Sequence, residues 1–190
     1  MANHVDGYLS IQANEEGMKA FKTIIDKLSD KQAEGEPTWG EVHLGDLFFD
    51  DLDDERLTRD WMCDNIGAKW AYAREWDEDG MSMYSAWGPC GEFAEWVVKE
   101  VCKADPDATG RLEYQDEMPN YIGVATYNKE GMEDDTCIEW DEIQEICMEQ
   151  DPELKELWDE DNGEWKDEEA AYDLLWEIKW DVASEWCAKQ

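Results

Sequence analysis

The chain has 190 residues, of which 51 are acidic and 16 basic, so its formal net charge at pH 7 is -35. Such a charge is typical of disordered chains, but 42% of the residues are hydrophobic and 12 are tryptophan, so the chain can bury a core and fold. The charge repels nucleic acids and anionic membrane surfaces, which excludes them as direct ligands and favours metal ions or the basic faces of other proteins.

Segments that direct a chain to a membrane or out of the cell are not recognisable. No apolar run approaches the roughly 20 residues that a membrane span needs, and the start Met1-Ala2-Asn3-His4 is neither basic nor apolar. We therefore expect a cytoplasmic protein. The 6 cysteines lie far apart without a Cys-x-x-Cys pair, so we expect reduced and mostly buried thiols, with disulfides as the alternative.

The first part of the chain alternates between strand and helix signals. The spacing of apolar residues predicts a strand from His4 to Gln12, and the cap Asn14 followed by acids predicts the start of a helix. Polar residues, glycines and a proline predict a loop over residues 30–40, and a shorter helix is expected from about Asp54 to Asn65. The predicted apolar stripe of the first helix is Met18, Phe21, Ile24, Ile25 and Leu28.

The middle of the chain has the clearest local signal, a β-hairpin. Two aromatic, alternating runs at 70–76 and 81–87 flank an Asp-Gly turn. A helix with a proline at its start is predicted over 89–103, and a second strand pair over 111–116 and 121–127. Up to about residue 130 this order predicts an α+β domain, an antiparallel sheet with helices on one face.

Residues 131–190 differ in composition, since they hold 22 acidic and 4 basic residues. They predict an acidic helical extension packed on the sheet domain, with helices at about 139–150, 152–159 and 164–188. The side chains expected to dock the last helix are Tyr172, Leu175, Trp176, Val182, Ala183 and Trp186.

Short motifs in the first 130 residues resemble the YubB-type ferredoxin-like domain of plasmids and bacteriophages. Compared with that family's pattern, Ile66 replaces a tryptophan, Ala68 a threonine and Gly88 a serine. The resemblance implies a ferredoxin-like sheet and an origin in a mobile element, and it brings no catalytic residues. The motifs are, in order, Asn3-His4-Val5, Gly67-Ala68-Lys69-Trp70-Ala71-Tyr72, Ser85-Ala86-Trp87-Gly88-Pro89, and Tyr114 followed by Tyr121-Ile122-Gly123.

Two tryptophans of these motifs also have a physical interpretation that needs no family. Trp70 and Trp87 fall at the ends of the two predicted hairpin strands. Aromatic side chains on paired strands stabilise a sheet through cross-strand contacts, so we expect a structural role for both.

Enzymatic and metal-binding functions find little support. Aligning Gly163 or Gly80 with the glycine of a calcium-binding loop leaves Trp158 at the first position or Ala86 at the last, where acids are required. Cys90 at a predicted helix start lacks a nearby base, and the negative potential opposes a thiolate. No catalytic residue, cofactor or metal ligand is therefore predicted.

The acidic residues themselves are the remaining candidate site. Acids three or four residues apart on a helix lie about 5–6 Å apart on one face, and such rows can imitate DNA, which carries one charge per about 1.7 Å of axis. Two helical rows are predicted, one running from Asp135 to Glu149 and one from Glu153 to Glu160. The predicted partner-binding residues are Asp50, Asp51, Asp53, Asp54, Glu133, Asp134, Asp135, Glu139, Glu142, Glu145, Glu149, Glu153, Glu156, Asp159, Glu160 and Asp161.

We therefore expect a non-enzymatic phage or plasmid protein that mimics DNA and inhibits a host nucleic-acid-binding protein, as anti-restriction and anti-CRISPR proteins do. The first alternative is a phage protein that redirects host RNA polymerase or another enzyme by binding a basic surface without copying a duplex. An enzyme with a site near Trp70, Trp87 and Cys90 is a second alternative, and a homodimer is possible. Salt adaptation is disfavoured, because lysines outnumber arginines 12 to 4.

Overall fold

The computed structural model describes residues 3–34, 41–49, 57–117 and 120–190. The fold is α+β, as predicted, and is built on a seven-stranded antiparallel sheet of strand order β2-β3-β4-β1-β5-β6-β7. A separate pair, β8 and β9, forms a small hairpin near the C-terminus. The strands are β1 His4–Gln12, β2 Val42–His43, β3 Ala71–Trp76, β4 Gly80–Ala86, β5 Thr109–Asp116, β6 Tyr121–Asn128, β7 Gly131–Glu139, β8 Trp158–Asp159 and β9 Glu164–Trp165.

Helices lie on both faces of the sheet, which corrects the prediction that they lie on one. The first two long helices cover one face, and three helices after residue 139 cover part of the other. The α-helices are α1 Glu15–Glu34, α2 Arg59–Asn65, α3 Gly91–Cys102, α4 Trp140–Gln150, α5 Pro152–Leu157 and α6 Glu168–Cys187, and a 3-10 helix spans Leu44–Leu47.

The strand β1 and the start of α1 confirm the prediction for the N-terminus. The side chain of Asn14 accepts hydrogen bonds from the backbone N–H groups of Glu16 and Gly17, at 2.9 and 3.0 Å, and so caps the helix. Four of the five predicted stripe residues are buried, and Met18 is half-buried. The helix continues to Glu34, so the loop predicted from residue 30 begins later.

The predicted second helix begins later than expected. Leu57 and Thr58 are not helical, and α2 starts at Arg59. The Thr58 hydroxyl accepts a hydrogen bond from the Trp61 N–H at 3.1 Å, so the cap fixes the start of the helix. The residues predicted to open it, from Asp54, lie outside the described part of the chain.

The predicted hairpin, the helix after it and the second strand pair are all confirmed. In the hairpin turn, Asp77 Oδ1 accepts hydrogen bonds from the Asp79 and Gly80 N–H groups, both at 2.9 Å. Strand β3 pairs with β4, and β5 pairs with β6. Phe93, Val97 and Val101 of α3 are buried against α1 and the sheet, as the predicted apolar face requires.

The sheet does not stop at the predicted boundary near residue 130. Strand β7 pairs along the whole of β6, where a helical segment was expected, and Ile138 is its buried apolar residue. Ile122 and Val124 of β6 join Ile138 in a second core, which faces away from α1 and α3. This core is completed by α4, α5 and α6.

The last helix is shorter than predicted. Glu164 and Trp165 belong to the β8–β9 hairpin, and α6 begins only at Glu168. Asp167 caps the helix, because its side chain accepts a hydrogen bond from the Ala170 N–H at 3.2 Å. Among the described helices, none combines the length and apolar character that crossing a membrane requires.

Candidate protein-binding surface

Of the predicted partner-binding acids, those of the first cluster cannot be placed. Asp50, Asp51, Asp53 and Asp54 lie outside the described residues. The remaining predicted acids fall in residues 131–190, which we call the C-terminal segment. Of its 22 acidic residues, all but Asp151 and Asp159 are exposed.

The first predicted row is wrong as a single helical face. Asp135 and Glu139 lie on strand β7, and only Glu142, Glu145 and Glu149 share a helix, α4. Those three are exposed, because Ile143 and Cys147 on the opposite side of α4 fill the core. The residues of the row therefore belong to two different elements.

Strand β7 carries three consecutive exposed acids, Glu133, Asp134 and Asp135. Because β7 is an edge strand of the sheet, charged side chains there oppose pairing with another chain. Asp135 Oδ1 also accepts a hydrogen bond from the Tyr114 hydroxyl at 2.7 Å, and this carboxylate and burial raise the pKa of Tyr114. The carboxylate of Asp135 therefore has a structural contact in addition to its exposure.

The second predicted row also divides between elements. Glu153 and Glu156 lie on α5, whereas Glu160 and Asp161 lie in the turn between β8 and β9. In that turn Asp159 accepts hydrogen bonds from the Asp161 N–H at 3.0 Å and from the Asn162 side chain at 2.9 Å. The bonds to Asn162 lower the pKa of Asp159 and commit its carboxylate to the turn.

A longer acid row lies on α6, and none of its members was predicted as a site residue. Five exposed acids recur at every fourth position, so they follow one strip of the helix surface. The spacing is visible in the sequence, but the tryptophans of this segment directed the prediction towards core docking. We call these residues the α6 acid row: Glu169, Asp173, Glu177, Asp181 and Glu185.

The basic residues of the C-terminal segment leave most of these acids without an ionic partner. The ion pair described within the segment joins Lys189 and Glu185 at 3.9 Å. Lys166 and Lys179 donate instead to backbone carbonyls, those of Glu156 and Glu117. The negative charge of the segment is therefore largely uncompensated and faces solvent.

The C-terminal helices form one packed layer rather than separate arms. The three helices contact one another in every pair, and α4 and α6 both contact β6. Near the helix ends, the Gln150 amide donates a hydrogen bond to Glu185 at 3.2 Å, and the Arg111 guanidinium donates to the Cys187 carbonyl. The acids are thus attached to a layer with a common core, in fixed relative positions.

A cleft of about 420 Å³ separates α6 from the polar face of the sheet. On its sheet side the Arg74 guanidinium lies 3.7 Å from the centroid of the Tyr84 ring and contacts Asp6 at 3.4 Å and Glu41 at 2.8 Å. Burial raises the pKa of Asp6, although Arg74 opposes the shift. Trp180 of α6 lines the opposite side.

The three residues of the alternative enzymatic site are not brought together. Trp70 packs against His4 and Tyr84, with ring centroids 5.3 and 5.6 Å apart, whereas Trp87 is 67% exposed and makes no cross-strand aromatic contact among those described. The cross-strand role predicted for Trp87 is therefore wrong. Cys90 lies in the core, where burial raises the pKa of its thiol to about 12.

The described residues offer no other chemical centre. No group of three or more histidine, cysteine, aspartate or glutamate side chains is arranged to hold a metal ion in that part of the chain. All 6 cysteines are free thiols, four of them buried.

No protein-family model, curated protein or solved structure matches this chain. The resemblance to the YubB-type domain therefore stays a prediction.

Proposed function

We propose that this protein is a DNA mimic of a phage or plasmid that binds and inhibits a nucleic-acid-binding protein of the host. Restriction enzymes, CRISPR-type nucleases and nucleoid proteins are the target classes, because each presents lysine and arginine side chains to phosphates. The protein acts in the host cytoplasm through its surface alone, without a catalytic residue or a cofactor.

The observation that carries the proposal is the uncompensated acid surface of the packed C-terminal layer. Twenty of the 22 acids of residues 131–190 are exposed, while the bases of this segment are few and two of them bond to backbone carbonyls. Like charges three or four residues apart on a helix cost about 0.2–0.5 kcal/mol each. A solubility role needs a net charge of only about 2–8, so a charge of -35 is far more than solubility requires.

The density of the charge suits a surface that binds DNA. Carboxylates four residues apart on α6 rise about 6 Å along the helix axis, compared with about 3.4 Å between phosphates of one strand. The exposed acids of α4, which packs against α6, add charges beside this row. A basic cleft that gains affinity by releasing counterions from DNA would gain comparable attraction from such a layer.

We further propose that a ferredoxin-like unit is the scaffold for this layer. Strands β1, β3, β4 and β5 and helices α1 and α3 follow the order strand, helix, strand, strand, helix, strand, and the four strands are neighbours in the order β3-β4-β1-β5. The resemblance to the YubB-type family of mobile elements predicts the same unit. Strands β2, β6 and β7 extend its sheet.

The test is capture of a host protein on the immobilised chain at low salt, followed by elution with duplex DNA. We expect DNA to release the captured protein, and the variant Glu142→Gln/Glu145→Gln/Glu149→Gln to capture much less of it. The matched control, Glu15→Gln/Glu16→Gln/Asp26→Asn, removes three acids that pair with lysines of α1 and should retain capture.

Two outcomes would contradict the proposal. Capture that neither DNA nor the triple variant of α4 reduces would show that the acid layer is not the binding surface. A complex in which the captured protein holds DNA and this chain together would favour the alternative, binding to a basic surface of RNA polymerase or another host enzyme.

A further inference from the structure

Helix α6 carries an exposed row of aromatic side chains beside its acid row. Tyr172, Trp176 and Trp180 are 44%, 54% and 38% exposed, although Tyr172 and Trp176 were predicted to dock the helix. Their spacing of four residues places them on one strip of the helix, about 12 Å long. We call this strip the aromatic ridge.

A buried lysine occupies the position beneath the ridge and explains why the rings face outward. Lys179 is 2% exposed, and its ammonium donates to the Glu117 carbonyl at the end of β5. The Nζ atom lies 3.2 Å from the centroid of the Trp176 ring and 4.7 Å from that of Trp180. These contacts hold both indoles before any partner arrives, which lowers the entropy lost on binding.

The ridge borders a recess. Trp180 lines the cleft of about 420 Å³, together with Ser184 of α6 and with Tyr8 and Glu113 of the sheet. A partner that covers the ridge can therefore place a side chain between α6 and the sheet. Fixed aromatic side chains beside a recess are typical of binding hot spots.

The charges beside the ridge determine which kind of partner fits. Asp173, Glu177 and Asp181 each follow a ridge residue in the sequence and are exposed on the adjoining strip. A second copy of this chain would bring two such strips together, and like charges oppose that contact. A partner with apolar side chains flanked by lysine or arginine satisfies both strips.

We propose that the aromatic ridge docks a basic amphipathic helix of the partner protein. Apolar side chains of that helix seat on Trp176 and Trp180, and its lysines or arginines meet Asp173, Glu177 and Asp181. This inference rests on the proposed function, because it assigns specificity to the ridge and long-range attraction to the acid layer.

The test uses two synthetic peptides of 18 residues, an amphipathic helix of leucine and lysine and a matched peptide in which glutamine replaces every leucine. Binding to the full chain is measured by isothermal titration. We expect the leucine–lysine peptide to bind more tightly, and the variant Trp176→Ala/Trp180→Ala to weaken its binding about 30-fold or more, as loss of a hot spot does. The glutamine–lysine peptide should bind the variant as it binds the original chain.

The control variant is Trp87→Ala, which removes an indole that is 67% exposed and lies outside α6. It should bind both peptides unchanged. Equal binding of the leucine–lysine peptide to the ridge variant and the original chain, or an equal loss in Trp87→Ala, would overturn the proposal. Dimerisation of the chain alone in sedimentation, abolished by the ridge variant, would overturn it by assigning the ridge to a second copy.

This experiment separates the two proposals. If DNA fails to displace the captured host protein while the ridge variant still loses leucine–lysine binding, the DNA mimic is wrong and the ridge remains a docking surface. If DNA displaces the host protein but the ridge variant binds the leucine–lysine peptide normally, the reverse holds.

Discussion

The first 130 residues and the C-terminal segment carry almost equal charge in different ways. Residues 1–130 hold 29 acids and 12 bases, and residues 131–190 hold 22 acids and 4 bases. In the first region lysines pair with nearby acids, as Lys19 does with Glu15 at 2.9 Å and Lys103 with Glu100 at 2.6 Å. In the described C-terminal segment the ion pair is Lys189–Glu185, at 3.9 Å.

The difference teaches that charge alone does not define the surface. Acids with a neighbouring lysine form local pairs that attract a third charge only weakly, whereas acids without such a neighbour add their fields. The C-terminal layer is therefore the part of the described structure that a basic partner would detect. The same layer should also limit stability, because its acids repel one another.

The largest expected effect comes from the two cores. Phe93→Ala in the first core should lower the free energy of unfolding by about 3–5 kcal/mol, and Leu175→Ala in the second by about 2–5 kcal/mol. Because both cores use the same sheet, each variant should shift one common transition in thermal melting. A melt of Leu175→Ala in which the helical layer unfolds first would show that the layer is an independent unit.

The next effect concerns Asp46, an acid of the first region that is not compensated like its neighbours. One of its carboxylate oxygens is buried without a hydrogen bond, the nearest His43 nitrogen is 3.9 Å away, and burial raises the pKa to about 6 although Lys31 opposes the shift. Since the folded pKa lies above the unfolded one, the folded state holds the proton more tightly. The contribution to stability is present at low pH and is lost as the pH rises from about 4 through about 6.

Asp46→Asn should therefore stabilise the chain at pH 7 by about 1–3 kcal/mol relative to its effect at pH 4. Chemical denaturation at the two pH values measures the difference. An equal effect of the substitution at both would contradict the raised pKa. Glu100→Gln provides a control, because the exposed Lys103 beside it should leave little difference between the two pH values.

A smaller effect distinguishes repelling acids from paired ones. Asp173→Asn/Glu177→Gln/Asp181→Asn removes two like-charge contacts on α6 and should stabilise the chain by about 0.4–1 kcal/mol at low salt. Removing the paired acids, as in Glu15→Gln/Glu16→Gln, should give no gain and a loss of a few tenths of a kcal/mol. Equal effects of the two variants in thermal melting at low salt would remove the distinction between the regions.

The smallest effect is a difference in reactivity. Cys63 and Cys137 are exposed and should react with a thiol reagent in the folded protein, whereas Cys90 is buried with a pKa of about 12 and should react only on unfolding. Mass spectrometry of labelled peptides measures both. Rapid labelling of Cys90 in the native state would contradict the core described around α3.

Much of the sheet could be predicted because its signals are local. Strand β1, the hairpin and α3 follow from apolar spacing, from the Asp77 turn and from the proline before the helix. Strand β7 was missed because Glu133, Asp134 and Asp135 interrupt its alternation, and an edge strand tolerates charged residues that an inner strand excludes.

The candidate surface could be predicted only in part. Its acidity follows from composition, but its arrangement depends on which side of α6 is buried. Lys179 takes a core position that apolar spacing would assign to a hydrophobic residue, and its bond to the Glu117 carbonyl leaves Trp176 on the outside. A buried lysine satisfied by a distant strand end is a tertiary contact, and no local pattern reports it.

The most direct test of the account is a competition titration between this protein and duplex DNA for a captured target over a range of salt concentrations. We predict mutual exclusion, with log affinities that fall linearly with log salt for both ligands and a shallower slope for Glu142→Gln/Glu145→Gln/Glu149→Gln. Binding that is insensitive to salt, or a ternary complex with DNA, would contradict the account.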